Sequence, residues 1–90
     1  MPNYVVETYL SREQTRERSA HEDRVRAAAA KLTREGTTVR FEFVIHVPED
    51  ETSFYVFHAP SAHHSALAAQ DAGLVAIRVV EALTSKGTEQ

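Results

Sequence analysis

The sequence predicts an α+β fold: a four-stranded antiparallel sheet with two helices on one of its faces. Three observations carry this. The segment TVRFEFVIHV, residues 38–47, alternates with a period of two, as a half-buried strand does and a helix does not. A long helix-forming run, SREQTRERSAHEDRVRAAAAKLTREG, separates it from an earlier strand-like segment. A hairpin, a second helix and a last β-branched segment follow, so the order is β-α-β-β-α-β.

The elements are justified in turn. NYVVETYL, residues 3–10, is β-branched and aromatic and reads as the first strand. Ser11 and Gln14 have the spacing of a capping box, so a helix is expected from about Arg12 to about Glu35. Four consecutive alanines favour it, and Gly36 supplies a left-handed stop. In the second strand, regular alternation puts Val39, Phe41, Phe43, Ile45 and Val47 on one face, and Arg40, Glu42, Val44 and His46 on the other. PEDET is a polar turn, and SFYVFHA, residues 53–59, is the returning strand. Ser61 is the expected N-cap of a second helix that Gly73 ends. VAIRVVEAL, residues 75–83, is the fourth strand; residues 84–90 read as a flexible tail beyond a single domain, 1–83. Two β-α-β units with right-handed crossovers give the ferredoxin-like arrangement.

Composition narrows the function. The chain has 90 residues, an apolar fraction of 42% and a charged fraction of 26%, values of one small folded domain. A net charge of −3, with arginines interleaved among acids, argues against a nucleic-acid partner. Cysteine is absent, which excludes disulfides, thiolate metal ligands and a cysteine nucleophile. No apolar run reaches the roughly 18 residues of a membrane span. The chain enters a strand pattern at once with no visible signal peptide, so a cytoplasmic protein is expected. The sheet face without helices would carry Val44 and several aromatics. Leaving them in water is costly, so a two-fold homodimer is expected to cover them.

Two regions offer chemistry. The apolar stripe of the first helix, Leu32, Ala28 or Ala29, and Val25, continues toward the N-terminus as His21, Arg18 and Gln14. Polar groups on a core-facing stripe either meet water beyond the sheet or line a pocket. In the second case His21 acts as acid/base, with Glu17 one turn away to orient it, and Arg18 or a tyrosine positions the substrate. The other region is the histidines. His46, His58 and Glu42 share the open sheet face in one hairpin register, with Phe54 and Val56; in the other register His58 turns toward the helices. His63 and His64 are helical neighbours about 100° apart and cannot readily hold one ion together. Their ion would need ligands from a strand, the PEDE turn or another subunit. Asp50 and Glu51 read as solvated turn carboxylates.

The start MPNYVVE, the middle PEDETSFYVFHAPS and the run AGL…IRVVEAL resemble a small bacterial nickel-binding-type domain family of otherwise unknown function. The likeness spans Pro2 to about Leu83. It implies a ferredoxin-like fold, a homodimer, a soluble bacterial cytoplasmic protein without an assigned reaction and, for at least one member, nickel bound by side chains including histidine. The chain departs from the family pattern at His58, where members usually carry an acid. It departs again at Ala68, where a histidine can stand, so no ligand set transfers residue by residue. Two functional expectations result. One is a homodimeric protein binding a divalent metal such as nickel through some of His46, His58, His63 and His64. The other is a small enzyme or ligand binder of the dimeric α/β-barrel kind, cyclase- or isomerase-like, with its pocket between the first helix and the sheet.

Overall fold

The computed structural model describes residues 2–83, and Met1 and the expected tail, 84–90, lie outside them. The elements are β1 (Asn3–Tyr9), α1 (Arg18–Arg34), β2 (Arg40–Val47), β3 (Thr52–His58), α2 (Ala62–Asp71) and β4 (Ala76–Ala82). The strands form one antiparallel sheet in the order β2-β3-β1-β4. Both helices pack on the same face, and the fold is ferredoxin-like, as expected.

The core explains why the helices are so rich in alanine. Val25, Ala28 and Ala29 of α1 and Ala68 and Ala69 of α2 are buried against Val6, Phe41, Tyr55 and Phe57 of the sheet. Small side chains let the helices approach closely, and the sheet supplies the bulk. Phe57 is fully buried, and a side chain of that size contributes about 1.5–3 kcal/mol by leaving water. Phe41 stacks at a tilt on both Tyr55 and Phe57, with ring centroids 5.9 and 5.7 Å apart. The Arg26 guanidinium lies 4.8 Å from the Phe41 ring centre and covers its outer side.

Both helices stop as their glycines foretell. Gly36 (φ 108°) and Gly73 (φ 80°) hold left-handed conformations. The Gly36 amide donates to the Thr33 carbonyl and the Thr37 amide to that of Leu32, the paired bonds of a Schellman cap; Gly73 and Leu74 repeat this with Gln70 and Ala69. The start of α1 differs from expectation. The Ser11–Gln14 capping box forms, with Gln14 Oε1 3.2 Å from the Ser11 amide and Ser11 Oγ 3.2 Å from the Gln14 amide. It opens a 3-10 turn, Glu13–Glu17, and the α-helix begins only at Arg18. No residue of that turn is buried, so no packing draws it into the α ladder.

The second strand corrects the expected faces. Phe41 pairs with Phe57, but Phe43 pairs with Val56, so Glu42 is an extra residue in a β-bulge. Alternation restarts one position late. Phe41, Val44 and His46 therefore face the helices, while Phe43 and Ile45 face outward, 46% and 52% exposed. The physical reason lies above the strand. Without the bulge, Phe43 and Ile45 would both press on α1, where its stripe turns from alanine to His21. In β3, Tyr55 and Phe57 point to the core, so Phe54, Val56 and His58 belong to the open face. His46 and Glu42 do not accompany them as a pair: His46 is on the helix side, and exposed Glu42 bonds Arg40 at 3.4 Å.

The hydroxyl of Ser65 in α2 is fully buried and has no hydrogen-bond partner among the described residues. Ser65→Ala removes an unpaired polar atom and improves helix propensity, so it stabilises the fold by about 1 kcal/mol. For a domain of this size, thermal unfolding followed by circular dichroism should shift upward by roughly 4–8 °C. A lowered midpoint would mean that the hydroxyl is bonded after all.

Candidate functional site

The bulge sets the site. It turns His46 beneath the N-terminal half of α1, at the hairpin end of the sheet. There His46 stands opposite Ser53 in the β2–β3 ladder. Its Nδ1 lies 2.7 Å from Ser53 Oγ, and Ser53 is itself buried. Thr8 of β1, also buried, donates from Oγ1 to the Ser53 carbonyl at 3.2 Å. Tyr55 stands edge-on to the imidazole, with centroids 6.1 Å apart and planes at 88°. The other ring nitrogen of His46, Nε2, is buried and bonds to nothing among the described residues.

α1 closes this cluster from above. His21 continues the buried stripe, 9% exposed, one turn before Val25. Arg18, one turn further, is exposed, and its guanidinium folds back to the Thr15 carbonyl at 2.9 Å. Its charge still reaches His46, together with those of Glu22 and His21. Glu22 is held by Arg26 at 3.0 Å, an i,i+4 pair that offsets its charge.

Burial decides the protonation states. It lowers the pKa of His21, helped by the Arg24 charge and opposed by Glu17. It lowers His46 as well, opposed by Glu22 and assisted by Arg18 and His21. Tyr55 is pushed up to about 12, mainly by burial and then by Glu22. Near neutral pH the cluster thus holds two uncharged imidazoles and a neutral phenol. Those groups can accept a proton, donate a hydrogen bond and discriminate a polar ligand from an apolar one.

The remaining histidines lie elsewhere. His58 is on the opposite sheet face, at the far end of β3, where its Nδ1–H donates to Asn3 Oδ1 at 2.9 Å. His63 is exposed. His64 belongs to the helix cap: Ser61 Oγ accepts its backbone amide at 3.3 Å and lies 2.8 Å from its Nδ1. The doublet rings are 5.6 Å apart and tilted, each turned its own way. Within one chain His46, His58, His63 and His64 do not converge. Among the described residues no group of three His, Cys, Asp or Glu is placed to hold a metal. The nickel that the family resemblance implies therefore does not fit a single chain through these four residues.

Beside the cluster, at the same end of the sheet, Arg12, Thr15, Pro48, Glu49 and Asp50 line an open depression of about 650 Å³. Glu51 shapes its rim. This residue adopts a left-handed conformation (φ 51°). Its carboxylate accepts from the Arg12 amide and from the Tyr9 hydroxyl, both at 3.2 Å, and its carbonyl accepts from the Leu10 amide at 2.7 Å. Glu51 is thus a structural tie, whereas Asp50 is exposed.

The sequence places His21 on the stripe that the structure buries, whereas Ser53, Thr8, Tyr55 and Glu22 come near it only through the fold. A hydroxyl beside an aromatic strand position, Ser53 before Phe54 and Thr8 before Tyr9, is the available signal. It needed the bulge to place it beside His46.

No family model matches the chain, and no curated protein does. Among solved structures, the crystal structure of SCO4226 from Streptomyces coelicolor A3(2) superposes with a TM-score of 0.62. The match covers 92% of this chain and 98% of that one at 17% identity. At that identity the likeness supports the fold alone. Among the described residues no helix is long and apolar enough to cross a membrane.

The two lowered histidines link stability to pH. An unfolded histidine takes up its proton near pH 6.5, whereas native His21 and His46 resist until lower pH. Below about pH 6.5 the unfolded state binds more protons, so stability falls as pH drops toward the native values. Urea midpoints measured from pH 7.5 to pH 5 should decrease. The doubly substituted His21→Gln, His46→Gln protein should lose less over the same range. An equal loss in both proteins would show that these imidazoles are not the groups responsible.

Proposed function

We propose that this chain binds a small molecule between the first turns of α1 and the sheet, and that it does so as a homodimer. One observation carries the ligand reading: the buried Nε2 of His46 has no partner among the described residues. A buried polar atom left unbonded costs on the order of 1–3 kcal/mol, which a ligand that reaches it offsets. In this reading His21 is the acid/base group, Tyr55 a neutral donor and Arg18 the cation that orients an approaching ligand. The open depression lined by Arg12, Thr15, Pro48, Glu49 and Asp50 lies at the same end of the sheet. Related dimeric α/β barrels include cyclases, isomerases and cofactor-free oxygenases, which is an analogy of fold.

The dimer rests on the open face. Register aligns Phe43, Val56, Val5 and Val80 in one row across all four strands, with Ile45 and Phe54 in the next. Phe43, Ile45 and Val80 are 46%, 52% and 41% exposed, a contiguous apolar surface that a second copy would cover. A nickel site, as in the resembling family, would have to be completed across such a pair of chains. Its test belongs beside that of the ligand.

A fragment screen on ¹⁵N-labelled protein should give shift changes centred on His21, His46 and Tyr55. His21→Ala should keep the fold and weaken binding at least about tenfold, the loss of one charge-assisted or neutral hydrogen bond. No hits at this cluster would overturn the ligand reading. Stoichiometric Ni²⁺ uptake in calorimetry, lost on replacing His58, His63 and His64, would put the metal reading in its place. In sedimentation, the wild-type protein should be a dimer and Ile45→Glu a monomer. A wild-type monomer at tens of micromolar would remove the dimer.

A further inference from the structure

We propose that Ser53 holds His46 in the tautomer that carries its proton on Nε2, and that the ligand therefore presents an anionic oxygen, of the carboxylate or enolate class, to that N–H. This deepens the ligand reading above and rests on it.

The inference starts from proton accounting. The Ser53 hydroxyl has one proton to place and is buried away from water. Its one side-chain partner is His46 Nδ1, at 2.7 Å. The Ser53 carbonyl is already engaged by Thr8 Oγ1. If Nδ1 carried the ring proton, it would donate to Ser53 Oγ. The hydroxyl proton and the Nε2 lone pair would then both be buried without partners. If Ser53 donates to Nδ1 instead, one group alone is left unpaired, the Nε2–H. The second arrangement strands fewer polar groups in the interior, where each is costly. Neutral His46 is thus a donor whose Nε2–H has no acceptor among the described residues.

The surrounding charges select among acceptors. From α1, the charges of Glu22, Arg18 and His21 reach His46. Glu22 exerts the largest charge effect on His46, and its carboxylate is bonded to Arg26 at 3.0 Å, which offsets part of that charge. Arg24 is directed to the Ala72 carbonyl at 3.2 Å. From β3, Tyr55 is neutral and Ser53 is committed to Nδ1. Among the described residues the Arg18 guanidinium bonds only the Thr15 carbonyl, an interaction that an anion readily replaces. A fixed N–H and a cation that can turn inward suit an anionic oxygen. They do not suit a metal ion, which needs the Nε2 lone pair.

The tautomer is read directly by long-range ¹H–¹⁵N correlation of the imidazoles at pH 7.5, with His46 assigned by the signal missing from His46→Gln. The expected result is a protonated Nε2 and an unprotonated Nδ1. Ser53→Ala, checked for its fold by its amide spectrum, should shift His46 toward a mixture of tautomers. Titration with formate, acetate and benzoate should move the His46 Nε2–H signal saturably for at least one of the three. Benzamide should bind at least tenfold more weakly than benzoate, and Arg18→Ala should weaken carboxylate binding at least threefold. A protonated Nδ1 in the wild-type protein overturns the proposal while leaving the ligand site standing, because a bare Nε2 would take a donor or a metal. A protonated Nε2 that no carboxylate perturbs also overturns it, and neutral fragments that still bind at His21 and Tyr55 would preserve the broader reading.

Discussion

Between Phe41 and Phe43, β2 carries one residue more than the strand it pairs with, and the rest of the molecule is arranged around that excess. A strand has two faces and a strict period, so one inserted residue exchanges the faces for everything that follows. Upstream, Phe41 joins the aromatic core with Tyr55 and Phe57. Downstream, Val44 and His46 take the inner positions, and Phe43 and Ile45 are turned out. The bulge thus performs two tasks at once. It delivers an imidazole to the interior under α1, and it moves two large apolar side chains to the surface that the helices leave bare.

The interior consequence is a graded contact between α1 and the sheet. At the C-terminal end of the helix, alanines meet aromatic rings, and dispersion and water exclusion hold the layers together. Toward the N-terminal end the same stripe becomes His21, and the sheet beneath becomes His46, Ser53 and Thr8. Hydrogen bonds join packing there: Thr8 bonds Ser53 and Ser53 bonds His46, while among the described residues the buried Nε2 of His46 has no partner. Burial keeps both imidazoles uncharged and the phenol of Tyr55 protonated, so the region is polar without carrying a fixed charge of its own.

Much of the architecture was readable from local chemistry. The capping box at Ser11 and Gln14, the stops at Gly36 and Gly73 and the Ser61 cap each depend on residues within a few positions of one another, and each is found where the sequence suggests. The β-β hairpin follows from the alternation of residues 38–47, the polar PEDET turn and the β-branched and aromatic segment after it. What was not readable depended on partners far along the chain. The alternation of TVRFEFVIHV is regular to the eye, and nothing in it marks Glu42 as the extra residue; only the pairing with β3 does. His46 was accordingly assigned to the wrong face, and its association with Ser53 was out of reach. His21 was found because helical periodicity needs no partner strand. The turn residue Glu51 was taken for a solvated acid because its contacts, Tyr9 and Arg12, lie about forty positions earlier, a separation that local pattern does not span.

That turn residue also shows how one position can be pulled in opposite directions. Its backbone sits where glycine or asparagine would be at ease, since other side chains crowd the left-handed conformation. Its side chain, however, bridges the end of β1 to the approach of α1, and glycine has nothing with which to bridge. Variation at this site is therefore confined from both sides. Relaxing the backbone cuts the strap between two segments, and keeping the strap retains the torsional tension. Drift in the sequence should leave a long acidic side chain here even where neighbouring loop residues change freely.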